Sequence, residues 1–185
     1  AQSLASKFTR VFLGFQIQCA RCHDHPFDKW TQEEFYGMAA FFAGVKHEPY
    51  GIGDRPPGMI KGLKIPDSKS PLLPPVFLET KAAPMKEETL RAAFARILTE
   101  PSNQQFARAG VNRIWAFFFG RGFVTPADTF NPTNVPTHPE LLEALTREFR
   151  ARGLDQKWLI REICNSETYQ LTGKTGNRDR EHEKL

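Results

Sequence analysis

The chain has 185 residues, 40% of them hydrophobic and 25% charged, which predicts a globular protein with one core or two small lobes. Its 25 basic and 21 acidic residues give a net charge of +4 and are interspersed, which argues against a nucleic-acid-binding protein. No apolar run approaches the roughly 20 residues of a membrane span, so no spanning segment is expected.

The first predicted element is an amphipathic helix that runs from the start of the chain into the sequence QCARCH. Its apolar positions recur at helical spacing and comprise Leu4, Phe8, Val11, Phe12, Phe15, Cys19 and Cys22. This spacing predicts one helix whose buried face includes both cysteines, with His23 on the same side. Pro26 is expected to end the helix.

A second helix is predicted after Thr31, because Thr31 and Glu34 have the spacing of a capping box. This helix should run through FYGMAAFF to about Gly44. The following residues 45–84 are rich in proline and glycine, so we expect a long loop without strands.

Helical patterns resume at KEETLRAAFARILTE and at NQQFARAGVNRIWAFFFG, where Gly120 supplies the C-terminal stop. Thr137 and Glu140 form another predicted capping box before LLEALTREFRARG, which Gly153 ends. Asp155 is the expected cap of the last helix, QKWLIREICNSETYQ.

The sequence therefore predicts a mainly α protein with four segments. A CxxCH-bearing helical lobe spans residues 1–48, and a Pro/Gly-rich loop or linker spans residues 49–84. A second small helical lobe spans residues 85–173, and the polar tail over residues 174–185 is expected to be frayed.

The spacing of Cys19, Cys22 and His23 is the pattern of covalent haem c attachment. Two thiols three residues apart on a helix can each add across one haem vinyl group, and the next histidine falls beneath the iron as an axial ligand. The apolar first helix and the phenylalanine-rich second helix are candidates for the walls of a haem pocket.

Other interpretations of this motif remain open. Zinc would require Cys19, Cys22, His23 and His25 to surround one ion almost without a loop, whereas structural zinc sites pair two distant ligand pairs. A redox-active CxxC usually opens a helix in a βαβ unit, and an iron–sulfur cluster needs four thiolates where the chain has 3 cysteines. The cysteines are also compatible with plain core residues beside a surface histidine.

The second axial ligand of a bound haem would decide between electron transfer and ligand binding. Met59 is the leading candidate because it lies in the Pro/Gly-rich loop, which can carry a thioether over the ring. The other candidates are His25, which is too near His23, and His47, Met38 and Met85.

Several residues outside the motif have simpler structural explanations. Arg21 and Trp30 could pair with the propionate groups of a haem. A surface position explains Arg21 equally well, and a position at the edge of the core explains Trp30. Packing, loop formation or capping accounts for residues in the second half, namely Asn112, Arg113, Trp115, Asp128, Asn131, Asn134 and His138. Cys164 is expected to be a small buried hydrophobic residue.

The stretch FLGFQIQCARCHDHPFDKWTQEEFYGMAAFF resembles a planctomycete family of secreted, cytochrome-like domains of unknown function (PSCyt type). The stretch from RAAFARILTE to LLEALTREF, followed by WLIREICNSETYQLT, resembles the partner domain that usually follows it (PSD type). The resemblance implies a fragment of a longer, exported protein, periplasmic or extracytoplasmic, whose leader is not present in this chain. It places Cys19, Cys22 and His23 at the CxxCH positions.

Three functions follow as hypotheses. The leading one is an exported c-type cytochrome-like protein that passes single electrons to a redox partner or to the remainder of a longer chain. The second is a haem enzyme with an open axial site for oxidative or peroxidatic chemistry. The third is a haem-free binding or scaffold module in which Cys19 and Cys22 form a disulfide or bind zinc. Self-association through exposed apolar surface is also expected.

Overall fold

The computed structural model describes residues 1–66 and 69–171 and confirms the mainly α class. The helices are α1 (Gln2–Phe8), α2 (Gln32–Ala40), α3 (Leu90–Thr99), α4 (Gln104–Phe119), α5 (Pro139–Ala151), α6 (Gln156–Asn165) and α7 (Glu167–Gln170). The strands β1 (Val45–Glu48) and β2 (Gly51–Asp54) form an antiparallel hairpin. The predicted frayed tail lies outside the described residues. Within those residues, no helix is long and apolar enough to cross a membrane.

The prediction of one continuous first helix is wrong. Helix α1 passes into a π-helical turn at Thr9–Leu13, and Gly14 ends it in the left-handed conformation with φ +70°. A short 3₁₀ helix, Gln18–Arg21, then carries Cys19. Because the chain changes direction at Gly14, the 3.6-residue period no longer applies beyond it, and Pro26 is not the residue that ends the helix.

Helix α2 begins as predicted. The Thr31 hydroxyl accepts the Glu34 backbone N–H, and the Glu34 carboxylate accepts the Thr31 backbone N–H, so the capping box is complete. The helix ends at Ala40 rather than near Gly44, and the chain turns directly into the hairpin, which the expectation of a loop without strands missed.

The predicted ends of the later helices agree with the structure at three of four places. Gly153, with φ +64°, follows the end of α5 as expected. Gly120 follows α4 in the left-handed conformation with φ +77°, and the Asp155 carboxylate accepts the first backbone N–H groups of α6. The capping box of Thr137 and Glu140 is wrong, because His138 is the N-cap of α5 and makes no side-chain capping bond. The Thr137 backbone N–H instead donates to the Phe123 carbonyl at 2.9 Å.

One hydrophobic core joins the first half, the long loop and the second half. The ring of Phe94 on α3 lies at its centre, with centroid distances of 5.7 Å to Phe8, 4.9 Å to Phe42 and 5.6 Å to Phe77. Phe77 belongs to the Pro/Gly-rich loop and is 1% exposed. The loop is therefore packed against both helical segments, and burial of these rings is the main stabilising term.

Hydrogen bonds from α4 satisfy the carbonyl groups at the end of the π-helical turn. The side-chain amide of Gln105 donates to the Leu13 carbonyl at 2.6 Å. The Arg113 guanidinium donates to the carbonyls of Val11 at 2.9 Å and Arg10 at 2.7 Å. Because a helix end leaves carbonyls without intrahelical partners, these side chains attach the first half to the second.

A polar cluster around Asp128 strengthens the same junction. Asp128 is 8% exposed, and its carboxylate accepts hydrogen bonds from the Arg10 guanidinium and from the Gln16 amide, the latter at 3.4 Å. Burial raises the pKa of Asp128, but the hydrogen bond and charge of Arg10 outweigh it and leave the pKa below its ordinary value of 3.8.

Replacing Asp128 by asparagine is expected to lower the free energy of unfolding by about 1 kcal/mol at pH 7, since Arg10 is partly solvent-exposed. A carboxyl group with a lowered folded-state pKa stabilises the fold above its unfolded pKa and loses this effect as the pH falls through the folded value. The difference from the wild type should therefore begin to shrink near pH 3.8 and disappear only below the folded-state pKa, which is lower than 3.8. Urea denaturation at several pH values measures this difference. If Asp128→Asn lowers the free energy of unfolding equally in an Arg10→Gln background, the pairing of Asp128 with Arg10 is contradicted.

Candidate functional site

The CxxCH motif lies at the protein surface. Both thiols, of Cys19 and Cys22, are exposed and unpaired, and His23 is exposed as well. The prediction that the cysteines lie on a buried helix face is therefore wrong. Only Ala20, between them, is fully buried, so the 3₁₀ turn is anchored by Ala20 and directs both thiols towards solvent.

The start of α2 fastens the residues that follow the motif. The backbone N–H of Gln32 donates to the Asp24 carboxylate at 2.7 Å, and the Gln32 side-chain amide donates to the Arg21 carbonyl at 3.1 Å. A carboxylate at a helix N-terminus is favourable because the first N–H groups of the helix lack intrahelical acceptors. Gln32 thus links the residues on both sides of His23, Arg21 and Asp24, to the start of α2.

Trp30 anchors the other end of this segment in the core. It is 2% exposed, and its ring centroid lies 4.9 Å from that of Phe15. The Trp30 carbonyl accepts the His25 backbone N–H at 2.8 Å. Lys29 covers the indole face with its ammonium 4.7 Å from the ring centroid. The predicted core-edge position of Trp30 is thus a fully buried one.

Backbone groups hold both histidine rings. The Nδ1 atom of His23 lies 2.7 Å from the Asp24 carbonyl oxygen, which leaves Nε2 as the ring's other nitrogen. The Nδ1 atom of His25 accepts the backbone N–H of Phe27 at 3.2 Å. His25 therefore makes two hydrogen bonds to backbone groups, one through its own N–H and one through its ring. These bonds close the turn HDHPF.

The other sequence-predicted ligands are at separate positions in the chain. Met59 is 59% exposed and follows Gly58 in the long loop, and His47 is exposed on β1 opposite Ile52. Met38 is completely buried in the core, whereas Met85 is 63% exposed at the surface. Cys164 is half-buried rather than buried.

The described residues contain no group of three or more His, Cys, Asp or Glu side chains that could hold a metal ion. A zinc site built from Cys19, Cys22, His23 and His25 would be such a group. The geometry within residues 1–66 and 69–171 therefore gives the zinc alternative no support.

The residues of the motif fit covalent haem attachment but not the predicted pocket. The required donor set is two free, exposed thiols three residues apart and a histidine whose Nε2 makes no hydrogen bond with the residues that the structure describes. The expected pocket walls serve the protein's own core instead, since the ring of Phe8 packs on that of Phe12 at 5.4 Å and on that of Phe42 at 5.1 Å. Phe27, beside the motif, is 84% exposed.

Models of two known protein families match separate segments of the chain. The model of PSD1, a protein family of unknown function (DUF1553), matches residues 90–184, which is just over half of the sequence. The chain belongs to the PSD1 family. The model of PSCyt2, a second family of unknown function (DUF1549), matches residues 1–47. The resemblance to a PSCyt-type segment followed by a PSD-type segment is thereby confirmed. No curated protein and no solved structure matches the chain.

The CxxCH motif belongs to the PSCyt2 match, whereas Gln105, Arg113 and Asp128, which bond to residues 10–16 before the motif, belong to the PSD1 match. Sequence reasoning did not find Asp24 and Gln32, which build the base of the motif. Asp24 lies eight residues before the Gln32 N–H that it accepts, and Thr31 holds the N-cap position, so no capping pattern indicates the role of Asp24. The buried position of Trp30 has no local signal.

Proposed function

We propose that this PSCyt2–PSD1 chain is an exported, c-type cytochrome-like protein that binds haem covalently and transfers single electrons. Cys19 and Cys22 supply the two thioether bonds, and His23 supplies an axial ligand. The observation that carries the proposal is a pair of exposed, unpaired thiols three residues apart, next to a histidine whose Nε2 has no partner among residues 1–66 and 69–171. The pairing of the two families supports a site within a longer chain.

The protein's own residues prepare attachment. Cys19 and Cys22 would hold the haem as thioethers; each sulfur would bond to one carbon of a vinyl group and the thiol hydrogen would go to the other, so no oxidant would be needed. Ala20, buried between the cysteines, fixes their spacing, and Gln32 and Trp30 hold the segment around His23 against the core. Bound haem supplies an iron that exchanges one electron between its ferric and ferrous forms.

We further propose Met59 as the second axial ligand. Its thioether is exposed, and Gly58 before it has φ +73° with nothing within 4 Å of an added Cβ, so the proposal needs only that this glycine-containing loop change its conformation. A methionine ligand raises the reduction potential of a haem relative to an open position. Met59→Ala should therefore lower the potential of the loaded protein and admit carbon monoxide. An unchanged reduction potential and unchanged ligand binding in this variant would exclude Met59 as a ligand. If the wild type itself also binds carbon monoxide, the result would favour the enzyme hypothesis.

The decisive experiment is a pyridine haemochrome spectrum with a haem stain of a denaturing gel, on protein exported through a haem c maturation pathway. The wild type should carry about one haem per chain. The double variant Cys19→Ala, Cys22→Ala should retain none, because both thioether positions are gone. Cys164→Ala is the matched control, since its thiol lies outside the motif, and it should load like the wild type.

A colourless wild-type band would overturn the proposal, and colour retained by the double variant would overturn the assignment of the thiols. Titration of free thiols then separates the remaining alternatives. A haem-free protein with one free thiol per chain would contain a Cys19–Cys22 disulfide, as in the scaffold hypothesis.

A further inference from the structure

Two adjoining cavities form a groove along α4, which we call the α4 groove. The first has a volume of about 450 Å³ and lies between the α3–α4 turn, the first turns of α4 and the end of α5. The second, about 430 Å³, lies between the π-helical turn, the middle of α4 and the start of α6. Thr99, Phe106 and Leu154 line both cavities, so the two are continuous along these side chains. Each volume is in the range of about 300–1,000 Å³ that is typical of small-molecule sites.

The second cavity has mainly apolar walls. The rings of Phe12 and Phe106 line it with their centroids 6.1 Å apart, and Ile114 and Phe149 complete the walls. Val11 lies beside them and is 50% exposed. An apolar group that covers these side chains removes them from water, which favours binding.

Gly110 gives this part of the groove its depth. It lies in the middle of α4, where glycine is less favourable than alanine. A Cβ at this position would meet Cε1 of Phe149 at 3.6 Å, which is an ordinary van der Waals contact, so the packing does not require a glycine here. The missing side chain leaves room for a ligand at the expense of helix stability.

Two arginines of α5 line the first cavity with unused hydrogen-bond donors. The Arg147 side chain is 70% exposed, and its guanidinium lies 3.8 Å from the carboxylate of Glu148, which Arg152 binds more closely at 2.5 Å. Arg147 makes no hydrogen bond within the described residues. The Arg150 guanidinium donates to the Pro101 carbonyl through Nη2, and its Nε has no partner among those residues.

The remaining charges of the groove are paired. Glu100 is the only carboxylate among the described residues that line it, and Arg96 pairs with this carboxylate at 3.1 Å. Arg113 lines the second cavity but donates to the carbonyls of Val11 and Arg10. The unpaired positive charge of the groove therefore lies in the first cavity, at Arg147.

We propose that the α4 groove binds an aliphatic carboxylate. The alkyl chain covers the apolar walls above Gly110, and the carboxylate accepts hydrogen bonds from Arg147 and Arg150. Guanidinium groups suit this role, because their N–H donors match the geometry of a carboxylate. The site is independent of haem attachment, since no residue of the CxxCH motif lines it.

Titration of the haem-free full chain with octanoate tests the site, with nitrogen-15 correlation spectra to show where the ligand binds. Octan-1-ol keeps the alkyl chain without the charge, and acetate keeps the carboxylate without the chain. Octanoate should bind saturably and shift the backbone signals of Phe106 and Gly110. Octan-1-ol should bind about tenfold more weakly or less, and acetate should show no saturable binding. No saturable octanoate binding, or shifts only outside the groove, would overturn the proposal.

Substitution of Arg147 tests the carboxylate end of the site. Arg147→Gln should weaken octanoate binding about tenfold and leave octan-1-ol binding unchanged, because it removes the charge and keeps most of the side chain. Arg161→Gln is the matched control, since Arg161 is an exposed arginine of α6 that lines neither cavity. Equal octanoate affinities of the two variants would exclude Arg147 as the residue that binds the carboxylate.

Substitution of Gly110 tests the apolar end. Gly110→Ala should weaken octanoate binding several-fold without lowering the midpoint of thermal unfolding, because alanine fits the helix but narrows the groove. Gly110→Leu should abolish binding. Wild-type affinity in Gly110→Ala, or binding retained by a folded Gly110→Leu, would contradict the assigned path of the chain. If octanoate fails to bind and Gly110→Leu dissociates a wild-type dimer in sedimentation velocity, the groove binds a second copy of the chain, and the proposal is wrong.

Discussion

Replacing Asn112 by alanine is expected to destabilise the protein by about 2–5 kcal/mol, because two buried backbone groups lose their partners at once. Asn112 lies on α4 and is completely buried. Its side-chain NH₂ donates to the Val124 carbonyl at 3.0 Å, and its carbonyl oxygen accepts the Val124 N–H at 3.0 Å. Val124 is also completely buried, so water cannot replace either bond.

Urea denaturation followed by circular dichroism measures this effect. Asn165→Ala is the control, because Asn165 is exposed at the end of α6, and a surface substitution of this kind should change stability by less than about 0.5 kcal/mol. Equal effects of the two substitutions would show that the paired bonds between Asn112 and Val124 contribute little to stability.

Asn112→Asp separates the donor from the acceptor. At pH 7 the buried carboxylate would face the Val124 carbonyl without a proton to donate, and burial would raise the pKa of the introduced carboxyl group. Protonation of the carboxyl group restores a hydrogen-bond donor, so the folded state takes up a proton as the pH falls. The loss of unfolding free energy relative to the wild type should therefore become smaller at lower pH. A deficit that stays constant down to about pH 4 would contradict this explanation.

Gly14→Ala is expected to lower the free energy of unfolding by about 2–5 kcal/mol, through two separate costs. The left-handed backbone of Gly14, with φ +70°, costs an alanine about 1–2 kcal/mol. A Cβ at this position would also lie 2.6 Å from Cδ2 of Phe130, which is 8% exposed, and overpacking of this kind adds about 1–3 kcal/mol. The neighbours Leu13 and Phe15 are buried, so the backbone cannot move away freely.

Gly58→Ala is the matched control for this prediction. Gly58 has nearly the same backbone angle, φ +73°, but nothing lies within 4 Å of the added Cβ. It should therefore show the conformational cost alone, about 1–2 kcal/mol. The difference between the two variants in urea denaturation measures the contact with Phe130, and Phe130→Leu should reduce it. Equal costs at the two glycines would show that Phe130 moves aside without loss.

Local signals of the sequence were sufficient for several features. The capping box of Thr31 and Glu34, the stop at Gly120 and the cap at Asp155 involve residues within one helical turn, and the structure confirms them. The spacing of the CxxCH motif is equally local. Such features depend on neighbouring backbone groups, which the order of residues specifies directly.

Contacts between distant residues decided the rest. Cys19 and Cys22 fit the stripe of a helix, but the turn at Gly14 is stabilised by residues of α4 and by Phe130, more than 90 positions away, and it places both thiols at the surface. The burial of Trp30 likewise depends on the packing of the core. Helical periodicity extends only along a continuous helix, so it cannot predict where tertiary contacts redirect the chain. The sequence alone thus determined the motif and most caps, and the tertiary structure determined how the motif is presented.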